Sequence, residues 1–110
     1  MSIPAKKHGD ALWFSATATG LEDIVDQWDL WTGSWAIVTF TGDVPTVYLS
    51  GTFTKDATVV GKFYAHITST QMKTLSVGKY IVVCQAQCVS LDYEEEFAHE
   101  SLTIKAAGIA

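Results

Sequence analysis

The chain has 110 residues, 48% apolar and 17% charged, with four Trp, four Tyr and five Phe, and its seven Lys plus Arg against twelve Asp plus Glu give a formal net charge of −5. That length suits one domain with one core, and the apolar and aromatic content excludes a disordered chain. The acidic balance, with no basic run longer than Lys6-Lys7, excludes nucleic-acid binding driven by phosphate contacts, and no stretch reaches the roughly 20 apolar residues of a membrane-spanning helix.

The first residues, MSIPAKKHGDALWFSATA, faintly resemble a secretory leader. Their apolar stretch falls short of the roughly 7–15 residues a leader needs, and Asp10 adjoins it, so a soluble protein made in a cytoplasm is expected. Residues 1–8 and 107–110 are expected to be loose termini of a single domain over 1–110. From Ala11 onward the pattern is mostly period two, with turn residues every eight to twelve positions, the rhythm of an all-β sandwich or barrel. Leu12, Phe14, Ala16 and Ala18 alternate with Trp13, Ser15 and Thr17, a first strand with one apolar and one mixed face.

Residues 19–31, TGLEDIVDQWDLW, break that rhythm. Leu21, Ile24, Val25 and Trp28 fall at helical spacing, and Thr19 with Glu22 could form a capping box, so a short helical turn within 20–30 competes with an extended crossover. Residues 35–40, WAIVTF, are β-branched and aromatic and read as a strand closed by the turn TGDVP. Val47, Leu49, Gly51 and Phe53 continue on one face until TKDAT breaks the pattern. Over 59–68, Phe63, Ala65 and Ile67 alternate against Lys62, Tyr64 and His66.

After 70–78, Tyr80, Val82, Cys84 and Ala86 alternate against Ile81, Val83, Gln85 and Gln87. One face is wholly apolar and the other turns polar halfway, which belongs in the middle of a sheet. Residues 93–97 and 101–106 supply one bent final strand or a hairpin, for about seven strands in all. Cys84 and Cys88 lie four apart, and in a strand their Cα atoms are separated by roughly 13 Å, too far for a bridge. They read as small apolar residues in a reduced compartment.

The stretch LSVGKY, 75–80, has a physical reading of its own. A tyrosine that begins a central strand can bury its ring while its hydroxyl bonds to backbone a few residues upstream, pinning the chain where it crosses between sheets. In this tyrosine corner Leu75 would pack beneath the crossing and Gly78 would allow a tight backbone. Such a motif points to a Greek-key sandwich and carries no chemistry.

Two blocks, GDALWFSATATG with DLWTGSWAIVTF, and GKFYAHITSTQMKTLSVGKYIVVCQAQ, resemble the small immunoglobulin-like modules of tailed-bacteriophage structural proteins, including the amino-terminal domains of upper baseplate proteins. The matching positions are Gly9-Asp10-Ala11, Asp29-Leu30-Trp31-Thr32-Gly33, and Leu75, Gly78 and Tyr80. The likeness runs from about Gly9 to Ile104. Trp31 interrupts the turn, and the acidic DYEEE stands near Asp92 where the family has a glycine-marked hairpin. The resemblance implies an immunoglobulin-like Greek-key β-sandwich that is a structural subunit of a virion, in the tail, baseplate or head-to-tail region. It would be synthesised in the cytoplasm of a bacterial host, act in several symmetric copies by contact with other virion proteins, and catalyse nothing. A sugar-binding module and a capsid-decorating cement protein are the alternatives.

Trp13, Trp28 and Trp31 are the candidate contact residues, as protein anchors or as a sugar-stacking platform, with Trp13 and Trp31 expected to be exposed because Phe14 and Leu30 take the inward face. His99, Glu95 and Glu100 could be imagined as metal ligands, but their spacing is not diagnostic and a solvated acidic face is the expectation; no metal or cofactor is expected. The acidic run 92–96 reads as charge on an edge strand that stops sheets from adding to one another.

Overall fold

The computed structural model describes residues 3, 5–18, 29–88 and 93–107. They form eight strands and one short helix: β1 Lys6–Lys7, β2 Leu12–Thr17, β3 Thr32–Thr41, β4 Val44–Thr52, β5 Thr54–Lys55, β6 Lys62–Ile67, α1 Ser69–Met72, β7 Gly78–Cys88 and β8 Tyr93–Lys105. The strands lie in two sheets, a five-stranded one in the order β1-β8-β7-β3-β4 and a three-stranded one in the order β2-β6-β5. All neighbours are antiparallel except β1 with β8.

Alternation decides which side of each sheet is core. On β7, Tyr80, Val82, Cys84, Ala86 and Cys88 are buried while the intervening residues are not. On β6, Phe63, Ala65 and Ile67 turn inward, opposite Ala16, Phe14 and Leu12 of β2. The inward residues of both sheets form one cluster that includes Trp35, Ile37, Phe63, Val82, Leu102 and Ile104. Large rings fit because glycines face them. A Cβ on Gly33 would lie 2.6 Å from the Phe63 ring, and one on Gly51 would lie 2.6 Å from the Trp35 ring. Both glycines therefore stand where the interior has no room for a methyl group.

The Thr41/Val44 pair closes the β3–β4 hairpin over a two-residue loop, with Gly42 at a φ of 62°. At the other end of the small sheet, Gly61 holds a φ of 89°, and a Cβ there would come within 2.4 Å of the Ala18 carbonyl oxygen. Its own carbonyl accepts a hydrogen bond from the Ala18 amide at 2.8 Å. This close backbone contact joins the segments at the ends of β2 and β6 and admits only glycine.

Several expectations change. Among the described residues of 1–8, expected to be loose, Ile3 is buried, Lys6 and Lys7 pair with Ile104 and Lys105, and the His8 amide donates to the Lys105 carbonyl at 2.8 Å. The ladder to β8 anchors Lys6 and Lys7. The helical turn expected in 20–30 falls mostly on 20–28, outside the described residues; Asp29 and Leu30 form a short 3-10 turn. Among the described residues the helix is α1, capped by Thr68, whose hydroxyl accepts from the Gln71 amide while the Gln71 side chain accepts from the Thr68 amide. The final strand is a single bent one, with an irregularity where β8 passes Cys84 and Gln85.

Candidate functional site

The tyrosine of the 75–80 stretch sits where two sheets are connected. Tyr80 is buried near the start of β7, and its hydroxyl donates to the Ser76 carbonyl at 2.8 Å, four residues upstream, the contact that a tyrosine corner makes. Leu75 is buried beside it. Gly78 holds a φ of 158°, a backbone conformation that side chains other than glycine's rarely adopt, although nothing lies within 4 Å of where a Cβ would stand. The corner is held by the phenol and by Leu75, and it is architectural.

The three candidate tryptophans do not come together. Trp13 lies on the outer face of the small sheet, 71% exposed. Trp28 lies outside the described residues. Trp31 is wholly buried and Leu30 is the exposed neighbour, a reversal of the expected pair. The reason is parity. Counting back along β3 from the inward Ile37 and Trp35 reaches Gly33 and then Trp31, so the strand's alternation carries Trp31 into the core. There its ring meets Tyr93 edge-on, with centroids 5.1 Å apart.

The outer face of the small sheet is closed by its own side chains. Trp13 stacks on His66 with ring centroids 3.7 Å apart and planes 8° apart. One strand position away, the Lys62 ammonium lies 5.3 Å from the centre of the Tyr64 ring, and the Tyr64 hydroxyl donates to Asp56 at 2.7 Å. That hydroxyl, with the backbone amides of Thr58 and Val59, holds the Asp56 carboxyl well below the usual carboxylate range.

The outer face of the large sheet is different. Its two central rows are Ser101, Ile81, Val38 and Val47, and next to them His99, Val83, Ala36 and Ser50. Three contiguous shallow hollows, of about 400, 360 and 370 Å³, lie along this face. Phe40 leans across it until its ring lies 6.3 Å from that of His99, with the planes 12° apart. The charges sit at the ends. Glu94 and Glu96 stand on β8 beside Gln87 and Gln85, and Lys79 and Lys105 stand at the opposite end, with Asp43 of the β3–β4 hairpin. Glu94 accepts from the Gln85 amide group, and Glu96 accepts from His99 at 3.0 Å when the imidazole presents its N–H.

The sequence had shown Ile81 and Val83 as the second apolar face of a central strand. It had not shown that this face lies uncovered, because period-two counting does not say how many layers a fold has. Val47 stands on this outer face and not, as expected, on one face with Leu49 and Gly51, because the irregularity between Ile37 and Val38 in the β3–β4 pairing turns it to the other side, where it joins Val38 and Phe40.

Groups that could carry a reaction are few. His99 contacts Glu96 and not the Glu95 and Glu100 that had been imagined with it. Among the described residues, no three of His, Cys, Asp and Glu gather closely enough to hold a metal ion. Cys84 and Cys88 are buried thiols that form no disulfide, and desolvation, aided by the nearby Glu100 charge, pushes the Cys84 thiol up to about 12. The Tyr93 phenol is raised as well, by its hydrogen bond to Glu95. Both shifts disfavour the nucleophilic, deprotonated form. No family model matches this chain, and the curated proteins contain no match to it.

Proposed function

We propose that this chain is an immunoglobulin-like sandwich serving as a structural module of a phage particle, in the tail, baseplate or head-to-tail region, and that it works by binding other proteins and catalyses no reaction. The strand pairing supports the architecture. With β2, β6 and β5 taken as strands B, E and D, and β3, β4, β7 and β8 as C, C′, F and G, the two sheets pair as in an immunoglobulin-like Greek key, with the first strand on the edge beside G. A buried tryptophan on strand C, Trp35, and a tyrosine opening strand F, Tyr80, occupy the places that fold uses. Gly9 and Asp10 lie in the turn between β1 and β2, in line with the resemblance at those residues.

The observation that carries the function is the outer face of the five-stranded sheet. It presents an apolar floor with charge confined to its ends, the pattern of a protein contact surface. Mass spectrometry of density-purified particles, with immunogold labelling, tests the reading. The chain should appear in fixed ratio to major particle proteins and at one location. Its absence from particles that are otherwise complete would refute the proposal.

A second reading, a carbohydrate-binding module, draws on the exposed Trp13 stacked on His66. Tryptophan fluorescence quenched by a glycan, and no longer quenched in Trp13→Ala, would favour it; no response across a glycan panel would remove it.

A further inference from the structure

We infer that the outer face of the five-stranded sheet is covered by a second copy of this chain, packed face to face about a two-fold axis that crosses the strands between the Ile81 and Val83 rows. The inference rests on the assembly reading and names its partner.

The charge pattern selects this occupant. Inward Leu102 and Ile104 place Ser101, Thr103 and Lys105 outward on β8, while Glu94 and Glu96 face outward at its other end beside Gln87 and Gln85. Along the same direction β7 runs from Lys79 through Ile81 and Val83 to Gln85 and Gln87. The face thus carries Lys79 and Lys105 at one end, with Asp43 of the β3–β4 hairpin beside them, is apolar in the middle and is acidic at the other end. A chain with net charge −5 repels its own copies in most orientations.

A two-fold axis across the strands reverses one copy end for end. The Ile81 row of each copy then lies on the Val83 row of the other, Lys105 approaches the second copy's Glu94, and Lys79 comes alongside its Glu96. Each contact occurs twice by symmetry, as an isologous interface requires. Turning the second copy about an axis along the strands would instead leave both acidic ends together. Sheets pack face to face about 10 Å apart, a spacing that lets the exposed Phe40 and Val47 of each copy fill the hollows of the other, over a floor in which Val38 is already buried.

Sedimentation equilibrium from micromolar to millimolar chain is the test, with circular dichroism confirming that each variant is folded. Wild type should dimerise, more weakly as salt rises. Val83→Glu should abolish the dimer while leaving the fold intact. Lys105→Glu alone and Glu94→Lys alone should each weaken it by roughly threefold to tenfold, and the double variant should recover most of that loss. A wild-type monomer throughout, a dimer indifferent to Val83→Glu, or a double variant no better than the singles would each overturn the inference. If the chain is nonetheless found in purified particles, the assembly reading stands with another protein on this face; a dimer absent from particles would show the reverse.

Discussion

The two outer faces of this molecule are built from the same period-two alternation and end in opposite states. On the three-stranded sheet the outward side chains find one another: Trp13 with His66, Lys62 with Tyr64, Tyr64 with Asp56. On the five-stranded sheet the outward residues of the central rows are mostly aliphatic and lie beneath open hollows. Aromatic and charged side chains are long enough to meet across strands about 4.8 Å apart, whereas Val, Ile and Ala form a flat floor that only another layer can cover. The sheet edges show a related contrast. The open part of β8 carries Glu94, Glu95, Glu96 and Glu100, whereas β4 has no charged residue and is interrupted by Pro45 and an irregularity near Val47. Both devices discourage strand addition, one by charge and the other by geometry.

The sharpest test compares phenylalanines on the two sides of the large sheet. Phe63 is fully buried among Phe53, Phe97 and the space over Gly33, so Phe63→Ala should cost about 3–5 kcal/mol. Phe40, 42% exposed on the outer face, should cost about 1 kcal/mol or less in the isolated chain. Urea denaturation of both variants measures the difference; equal losses would mean that the outer face is already part of the core. Next in size is Tyr80→Phe, which keeps the ring and removes the hydroxyl from the Ser76 carbonyl. It should cost about 1–3 kcal/mol in the same measurement, and no loss would make the corner ornamental.

Much of the inward structure was legible beforehand, since burial imposes strict alternation on β2, β6 and β7. Legibility failed where parity had to be carried through an irregular segment. Trp31 was misassigned because its face was judged from Leu30 beside it, when the chain is already in register with Ile37 and Trp35. The helix at Ser69–Met72 was overlooked although Thr68 and Gln71 spell a capping box, because a single turn has no apolar periodicity to announce it. Gly61, whose conformation and crowding admit no side chain, reads in sequence like any loop glycine, because its close neighbour Ala18 is distant in sequence. The outer apolar face was half visible, since one strand of it shows in the sequence and its assembly from four strands does not.

The closed face also carries an acid-sensitive contact, between Asp56 and Tyr64. Asp56 is held charged by the Tyr64 hydroxyl and the Thr58 and Val59 amides, so its folded-state pKa is depressed below the unfolded value near 4. A depressed carboxylate contributes stability that is present above the unfolded pKa and lost as pH falls through the folded one. Wild type should therefore lose stability progressively below about pH 4, and Asp56→Asn, which cannot titrate, should show a shallower loss over the same range. Denaturation midpoints from pH 6 down to about pH 2 give the two slopes. Parallel slopes would place the acid sensitivity in other carboxylates.

The smallest effect belongs to Trp13. Its ring is large, and size alone would suggest a large penalty for removing it. Most of its surface already meets water, however, and its one close partner, His66, is exposed too, so little apolar area is returned to solvent on truncation. Trp13→Ala should change folding stability by about 0.5 kcal/mol or less while altering tryptophan fluorescence, because the indole stacked on an imidazole is lost. A change of several kcal/mol would mean that the stack braces β2 against β6. The small sheet would then owe its closed outer face to structural need, and the contrast with the open face would be one of stability as well as of contact.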